Sequence, residues 1–183
     1  MKIIVHLTPA ELRLAAVTAV EKEIRAMVHN IQPVPNQRAR KNVPWWHHSI
    51  VGYTAEVAAC KALGYKWLGA DPARFKDPDC GPYQVRSVED KASGLKIRTR
   101  DSDDDRYILA QVAGMRVCLH GWMSGRTARQ VGDPAFEDAV RVDICHLYGM
   151  EELNEWDDID WSDEVEPYDP DDRIRQYRAS MIG

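Results

Sequence analysis

Apolar positions along the first sixty residues recur at helical spacing, and those beyond residue 79 recur at spacing two. Leu12, Ala15, Ala16, Ala19, Val20, Ile24, Met27 and Val28 form the first periodic set. Ahead of them, Thr8-Pro9-Ala10-Glu11 supplies an N-cap, a proline suited to the first helical position and the acid of a capping box. A structural helix is therefore expected from there to about His29. Ser49 to Leu63 reads as a second helix, with Gly64 where a C-terminal cap belongs. Ala55, Ala58, Ala59 and Ala62 make it thin enough to lie close on a sheet. Between the two, Pro33, Pro35 and Pro44 interrupt regular structure from Asn30 to Trp46.

Asp79 to Val88 reads as a strand, with Tyr83 and Val85 on one face and Gln84 and Arg86 on the other. Leu95, Ile97 and Thr99 alternate with Lys96, Arg98 and Arg100, which predicts a strand with one cationic face. Tyr107 to Val112 and Met115 to Met123 follow, joined at Gly114, and short turns between these strands predict an antiparallel meander. Gly125 to Glu137 reads as a loop, Val140 to Ile144 as a last short strand and Leu147 to Trp156 as a short helix. The expectation is one α/β domain over residues 1–156, a mixed sheet flanked by helices. Residues 157–183 are expected to form an acidic tail, extended or partly disordered, since 157–172 holds nine acids and two prolines.

Composition narrows the class. Hydrophobic residues make up 44% and charged residues 29% of the 183, as in ordinary globular proteins. No apolar run approaches the ~18 residues that span a bilayer. The apolar stretch at the start is short and soon interrupted by His6, unlike a secretory signal, so a cytoplasmic location is expected. Cys60, Cys80, Cys118 and Cys145 form no C-x-x-C pair and read as reduced thiols, mostly buried. Net charge is -5, unevenly placed. Met150 to Gly183 holds twelve acids against three arginines, whereas Met1 to Gly149 holds twenty-one basic residues against seventeen acids. A mildly basic body with an acidic tail permits a polyanionic partner.

Candidate chemistry centres on Glu56, Asp79, Gln84 and Arg86. Glu56 falls on an apolar stripe with Tyr53, Cys60 and Leu63. A carboxylate there is costly unless it is paired or bound to a metal, and an edge position bonded to an Arg or Tyr is an equal alternative. With Asp79 it offers two hard oxygen donors to Mg²⁺ or Mn²⁺, and the side-chain oxygen of Gln84 offers a neutral third. Arg86 stays protonated, so it suits a phosphate clamp rather than a general base. Asp71 or Asp77 could stand in for Asp79, and Glu89 and Lys91 lie just beyond the strand. A structural alternative is an ion-pair network in which Arg86 neutralises Glu56 and Asp79.

Other features have plainer readings. Arg38, Arg40 and Lys41, followed by Trp45 and Trp46, could hold a nucleic-acid strand by phosphate contact and stacking, or form a solvated loop with indoles tucked inward. Asp101, Asp103 and Asp105 have the opening spacing of a calcium loop. Arg106, Tyr107 and Val112 occupy positions such a loop needs otherwise, which favours a solvated turn. His47 and His48 are adjacent, while His120 and His146 are distant and no H-x-x-x-H spacing occurs. Sequence alone therefore supports neither a zinc site nor a Cys–His nucleophile pair.

The order of a helix bearing Glu56, a strand bearing Asp79 and Gln84-Val-Arg86, further strands and a closing helix resembles the PD-(D/E)XK nuclease superfamily. Asp79 matches its first carboxylate, Gln84 its Glu, Arg86 its Lys and Glu56 its helical Glu. The chain also resembles a group of phage-encoded proteins of similar size, relatives of that superfamily. The matching pieces include Leu7-Thr-Pro, Ala55-Glu-Val-Ala58, Phe75 to Arg86, Leu95-Lys-Ile-Arg98, Gly121-Trp122 and Gly149-Met-Glu-Glu-Leu153. The resemblance implies a PD-(D/E)XK-like fold and a Mg²⁺- or Mn²⁺-dependent nuclease acting on DNA in a phage-infected cell. Glu56, Asp79 and Gln84 would then hold the metal, while Lys96, Arg98, Arg100 and the Arg38 to Lys41 loop follow the backbone. The alternative is a degenerate relative that binds nucleic acid or a host protein, with a homodimer as one compatible state.

Overall fold

In the computed structural model, which describes residues 1–29, 45–69, 77–90, 93–135 and 138–156, Thr8 opens the first helix as its sequence implies. The Glu11 backbone N–H donates to Thr8 Oγ1 at 3.2 Å, and the Thr8 N–H donates to Glu11 Oε2 at 2.6 Å. Glu11 also accepts from Lys61 Nζ at 2.9 Å, so the cap ties helix α1 (Pro9–Val28) to helix α2 (Trp45–Leu63). Removing the cap hydroxyl in Thr8→Ala should cost about 1 kcal/mol in urea denaturation. A loss below ~0.3 kcal/mol would show that the Glu11–Lys61 tie holds this end without it.

Two differences from the sequence reading concern these helices. Helix α2 begins at Trp45 rather than near Ser49, so both tryptophans belong to its first turn, and Trp46 is exposed. In α1 the buried positions are Glu11, Leu14, Ala15 and Ala19, while Val17, Val20, Ile24, Met27 and Val28 are exposed.

The strands are β1 (Ile3–His6), β2 (Tyr83–Val88), β3 (Leu95–Arg98), β4 (Arg106–Ala113), β5 (Arg116–Ser124), β6 (Asp133–Pro134) and β7 (Ala139–Val142). They form two sheets, a mixed one in the order β1-β5-β4-β2 and an antiparallel one in the order β3-β7-β6. The expected meander is corrected here. Strands β4 and β5 form an antiparallel hairpin, but β2 runs parallel to β4, with Tyr83 opposite Arg106 and Val88 opposite Gln111. Strand β3 leaves this sheet and pairs with β7, Leu95 opposite Val142.

Burial supplies the reason. Tyr107, Ile108, Leu109 and Ala110 are all buried, so β4 needs cover on both faces. One face packs on α2, with α1 against that helix, in a core that includes Ile108, Ala110, Val117 and Leu119. On the other, Tyr107, Leu109 and Met123 meet Leu95, Ile97 and Val142 of the second sheet. Strand β3 serves the core better as a lid on β4 than as its neighbour.

The segment expected to be a loop from Gly125 begins with a helix, α3 (Gly125–Val131), capped by Ser124, whose hydroxyl accepts from the Thr127 N–H at 3.1 Å. The closing helix is instead a 3-10 turn, Met150–Trp156, with Met150 and Leu153 buried in the first core. No helix among the described residues is long and apolar enough to cross a membrane. The acidic tail from 157 onward lies outside the described residues.

Candidate functional site

Helix α2 carries Glu56 on the side that faces β2, and Asp79 stands four residues before that strand begins. Both residues are half-buried. Glu56 Oε2 accepts from the indole Nε1 of Trp67 at 3.0 Å, and Trp67 packs edge-on against Tyr53 with ring centres 5.7 Å apart. Asp79 Oδ2 accepts from the Val85 N–H at 2.8 Å, which pins the carboxylate across the turn ahead of β2.

The two carboxyl groups lie within reach of each other's charge. Desolvation, reinforced by the charge of Asp79, pushes Glu56 up to about 8. Desolvation also raises Asp79, against the Val85 N–H, Arg86 and Lys22, which favour its charged form. Near neutral pH the pair therefore holds a proton on Glu56. A divalent cation between the carboxylates would take that proton's place.

Arg86 and Gln84 stand on a different surface. In the parallel register Gln84 lies opposite Tyr107 and Arg86 opposite Leu109, residues of the second core. Tyr83 and Val85, on the other face, belong to the first core with α2. Gln84 thus does not share the face that carries Glu56. The guanidinium of Arg86 pairs with Asp101 at 3.2 Å and lies 4.9 Å from the centre of the Tyr107 ring. It acts on Glu56 and Asp79 at longer range, favouring the charged form of each. The anticipated ion-pair network therefore closes on Asp101 rather than on Glu56 or Asp79.

Three members of the site were missed from sequence. Lys22 lies 5.4 Å from the Tyr53 ring centre and favours both carboxylates in their charged forms. Its signal was its place after Ala15 and Ala19 on the buried side of α1. Asp101 reads from sequence as part of a solvated turn, with no sign of its pairing to Arg86. Trp67 gave no signal beyond its position just after α2, because the indole's partner is set by the fold.

The acidic turn before β4 is exposed at residues 102–104, as expected of a solvated turn, and arginines tie it down. Arg129 donates to Asp103 Oδ1 at 2.7 Å and to the Arg98 carbonyl at 3.0 Å, and Arg126 pairs with Asp104 at 2.8 Å. Among the described residues, no group of three or more His, Cys, Asp or Glu side chains is arranged to hold a metal.

Of the expected nucleic-acid contacts, Lys96, Arg98 and Arg100 are exposed, with Lys96 and Arg98 on the outer face of β3. Lys96 stands opposite Arg141 in register, and both line an open depression of about 520 Å³ shared with Asp90 and Asp133. The two aspartates balance its two cations in formal charge. Arg38, Arg40, Lys41, Asp71 and Lys91 lie outside the described residues. Asp77 and Glu89 are exposed, and Glu89 pairs with His47 at 2.8 Å.

All four cysteines are free, with Cys60 and Cys80 buried, Cys118 half-buried and Cys145 exposed. Hydrogen bonding to Cys60 and then burial push the Cys80 thiol up, so Cys80 stays protonated. Comparison with family models, with curated proteins and with solved structures found no match.

Proposed function

We propose that this chain is a divalent-cation-dependent phosphodiesterase of the nuclease type, acting on DNA. The observation that carries the reading is the half-buried pair Glu56 and Asp79, two carboxylates whose ionisation burial makes costly, Glu56 further so by the charge of Asp79. Such an arrangement is offset by a bound cation, and hard oxygen donors in this number suit Mg²⁺ or Mn²⁺. Glu56 and Asp79 would hold the ion, which when bound supplies positive charge against a phosphodiester. Lys22 and Arg86 add positive charge on the protein side, and Trp67 and Val85 fix the two carboxylates through one oxygen each. The mixed sheet with helices on one face is compatible with the PD-(D/E)XK resemblance, and the exposed cations of β3 offer phosphate contacts.

A second reading has its own support. Gln84 lies off the carboxylate face and Arg86 is engaged by Asp101, and among the described residues no third ligand joins the two carboxylates. A protein of this fold that binds nucleic acid, or a host protein, without cleaving it fits that arrangement.

Calorimetric titration with Mn²⁺ of the wild type, Glu56→Gln and Asp79→Asn separates the two. The nuclease reading expects one site with a dissociation constant at or below about 1 mM, lost in both variants. It also expects DNA cleavage that falls at least ~100-fold with either substitution. Absence of Mn²⁺ binding in the wild type, or cleavage that survives in both variants, would overturn it.

A further inference from the structure

The outer face of the mixed sheet is only half covered by the second sheet. Beyond Tyr107, Leu109 and Met123, which the second core buries, it carries Gln111, Cys118 and His120, all half-buried, and Ile4, which is exposed. The register of β4 and β5 shifts there. Leu109 pairs with Gly121 and Ala110 with Leu119, so His120 is the extra residue of a β-bulge. A bulge re-aims the side chain it carries. His120 Nε2 lies 3.0 Å from Gln111 Oε1, and its Nδ1 lies 4.0 Å from Cys118 Sγ.

These contacts have a direction. Gln111 Nε2 donates to the Glu89 carbonyl at 3.2 Å, which turns the amide oxygen towards His120. That oxygen can only accept, so His120 Nε2 carries the ring proton. In the neutral ring Nδ1 is then the basic nitrogen, and it faces the thiol. A thiol beside an oriented imidazole base is the arrangement that raises cysteine nucleophilicity.

We propose that Cys118 is a reactive thiol, activated by His120 and oriented through Gln111, and that it is a site of mixed-disulfide formation with low-molecular-weight disulfides. The Cys118 proton passes to His120 Nδ1 as Sγ attacks one sulfur of the disulfide. The S–S bond breaks, and the departing thiolate takes the proton from the imidazolium. One mixed disulfide and one free thiol result, with no further oxidant needed. Among the described residues the second sheet leaves Cys118 partly exposed, which gives a small disulfide access to it, and the reaction is independent of Glu56 and Asp79.

The test is exposure of the full chain to glutathione disulfide near neutral pH, with timed quenching and peptide mass spectrometry at each cysteine. Cys145, which is exposed, serves as the reference thiol, and buried Cys60 and Cys80 report whether the fold is intact. Cys118 should react about tenfold faster than Cys145, and His120→Ala should bring it to or below the Cys145 rate while Cys145 is unchanged. Should His120→Ala expose Cys60 or Cys80, Gln111→Leu decides, with an expected loss of about threefold or more at Cys118. A Cys118 rate no higher than that of Cys145 in the wild type would overturn the proposal. So would an unchanged Cys118 rate in whichever variant keeps Cys60 and Cys80 protected.

Discussion

Glu56→Gln should be more stable than the wild type at pH 9 and close to it at pH 5. Desolvation and Asp79 hold the Glu56 proton in the folded state up to about 8, against an ordinary value of 4.5. Between those values the unfolded chain has released the proton that the native state still binds. Wild-type stability must therefore fall as pH rises through that window and level off above it. Each pH unit costs up to about 1.4 kcal/mol, so the whole penalty is on the order of several kcal/mol. An amide at position 56 can still accept from Trp67 and has no proton to lose, so the slope should flatten. Urea denaturation at pH 5, 7 and 9 measures this directly. If the wild type shows no decline between pH 5 and 9, the carboxylates are not buried against each other as described.

The same experiment bears on the cation. A divalent ion held by Glu56 and Asp79 binds only the folded state, so millimolar Mn²⁺ at pH 8 should recover stability in the wild type. It should have no such effect in Glu56→Gln. Equal stabilisation of both proteins would place any bound ion elsewhere.

Gly125→Ala should destabilise the fold by about 3 kcal/mol, because a Cβ at that position would lie 2.1 Å from the Ser102 carbonyl oxygen. The obstacle is backbone rather than a flexible side chain. The Gly125 N–H donates to the Asp105 carbonyl at 3.0 Å, and the Arg126 N–H to that of Asp103 at 2.9 Å, so α3 is stitched to the acidic turn. Relief would require that turn to move, which would strain the Arg129–Asp103 contact and the Arg86–Asp101 pair together. The measurement is the urea midpoint, with an unchanged dependence on urea showing that the denatured state is the same. A loss under ~0.5 kcal/mol would mean the turn yields freely and does not fix Arg86.

Much of this was legible in the chain. The capping box at Thr8 and Glu11 is local chemistry between residues three apart, and it forms as written. The alternation of Leu95 and Ile97 with Lys96 and Arg98 correctly assigned a buried and an exposed face to β3. Glu56 stood out because a carboxylate among Tyr53, Cys60 and Leu63 had to be explained, and burial does raise its proton affinity. Tyr107 to Ala110 also carried a message that the meander reading overlooked. Four consecutive buried residues need cover on both faces, which a single sheet packed on helices does not give.

The sequence by itself determined the two long helices, the strand faces and the placing of Glu56 and Asp79 near each other in the order of elements. These depend on periodicity and on contacts between residues close along the chain. Only the tertiary structure decided that β2 runs parallel to β4, that Arg86 meets Asp101 rather than Glu56, and that Gln84 faces away. Strand partners, and therefore the neighbours of every strand side chain, follow from how the two cores compete for cover. The bulge that turns His120 towards Cys118 and Gln111 is of the same kind, for a register shift exists only between paired strands.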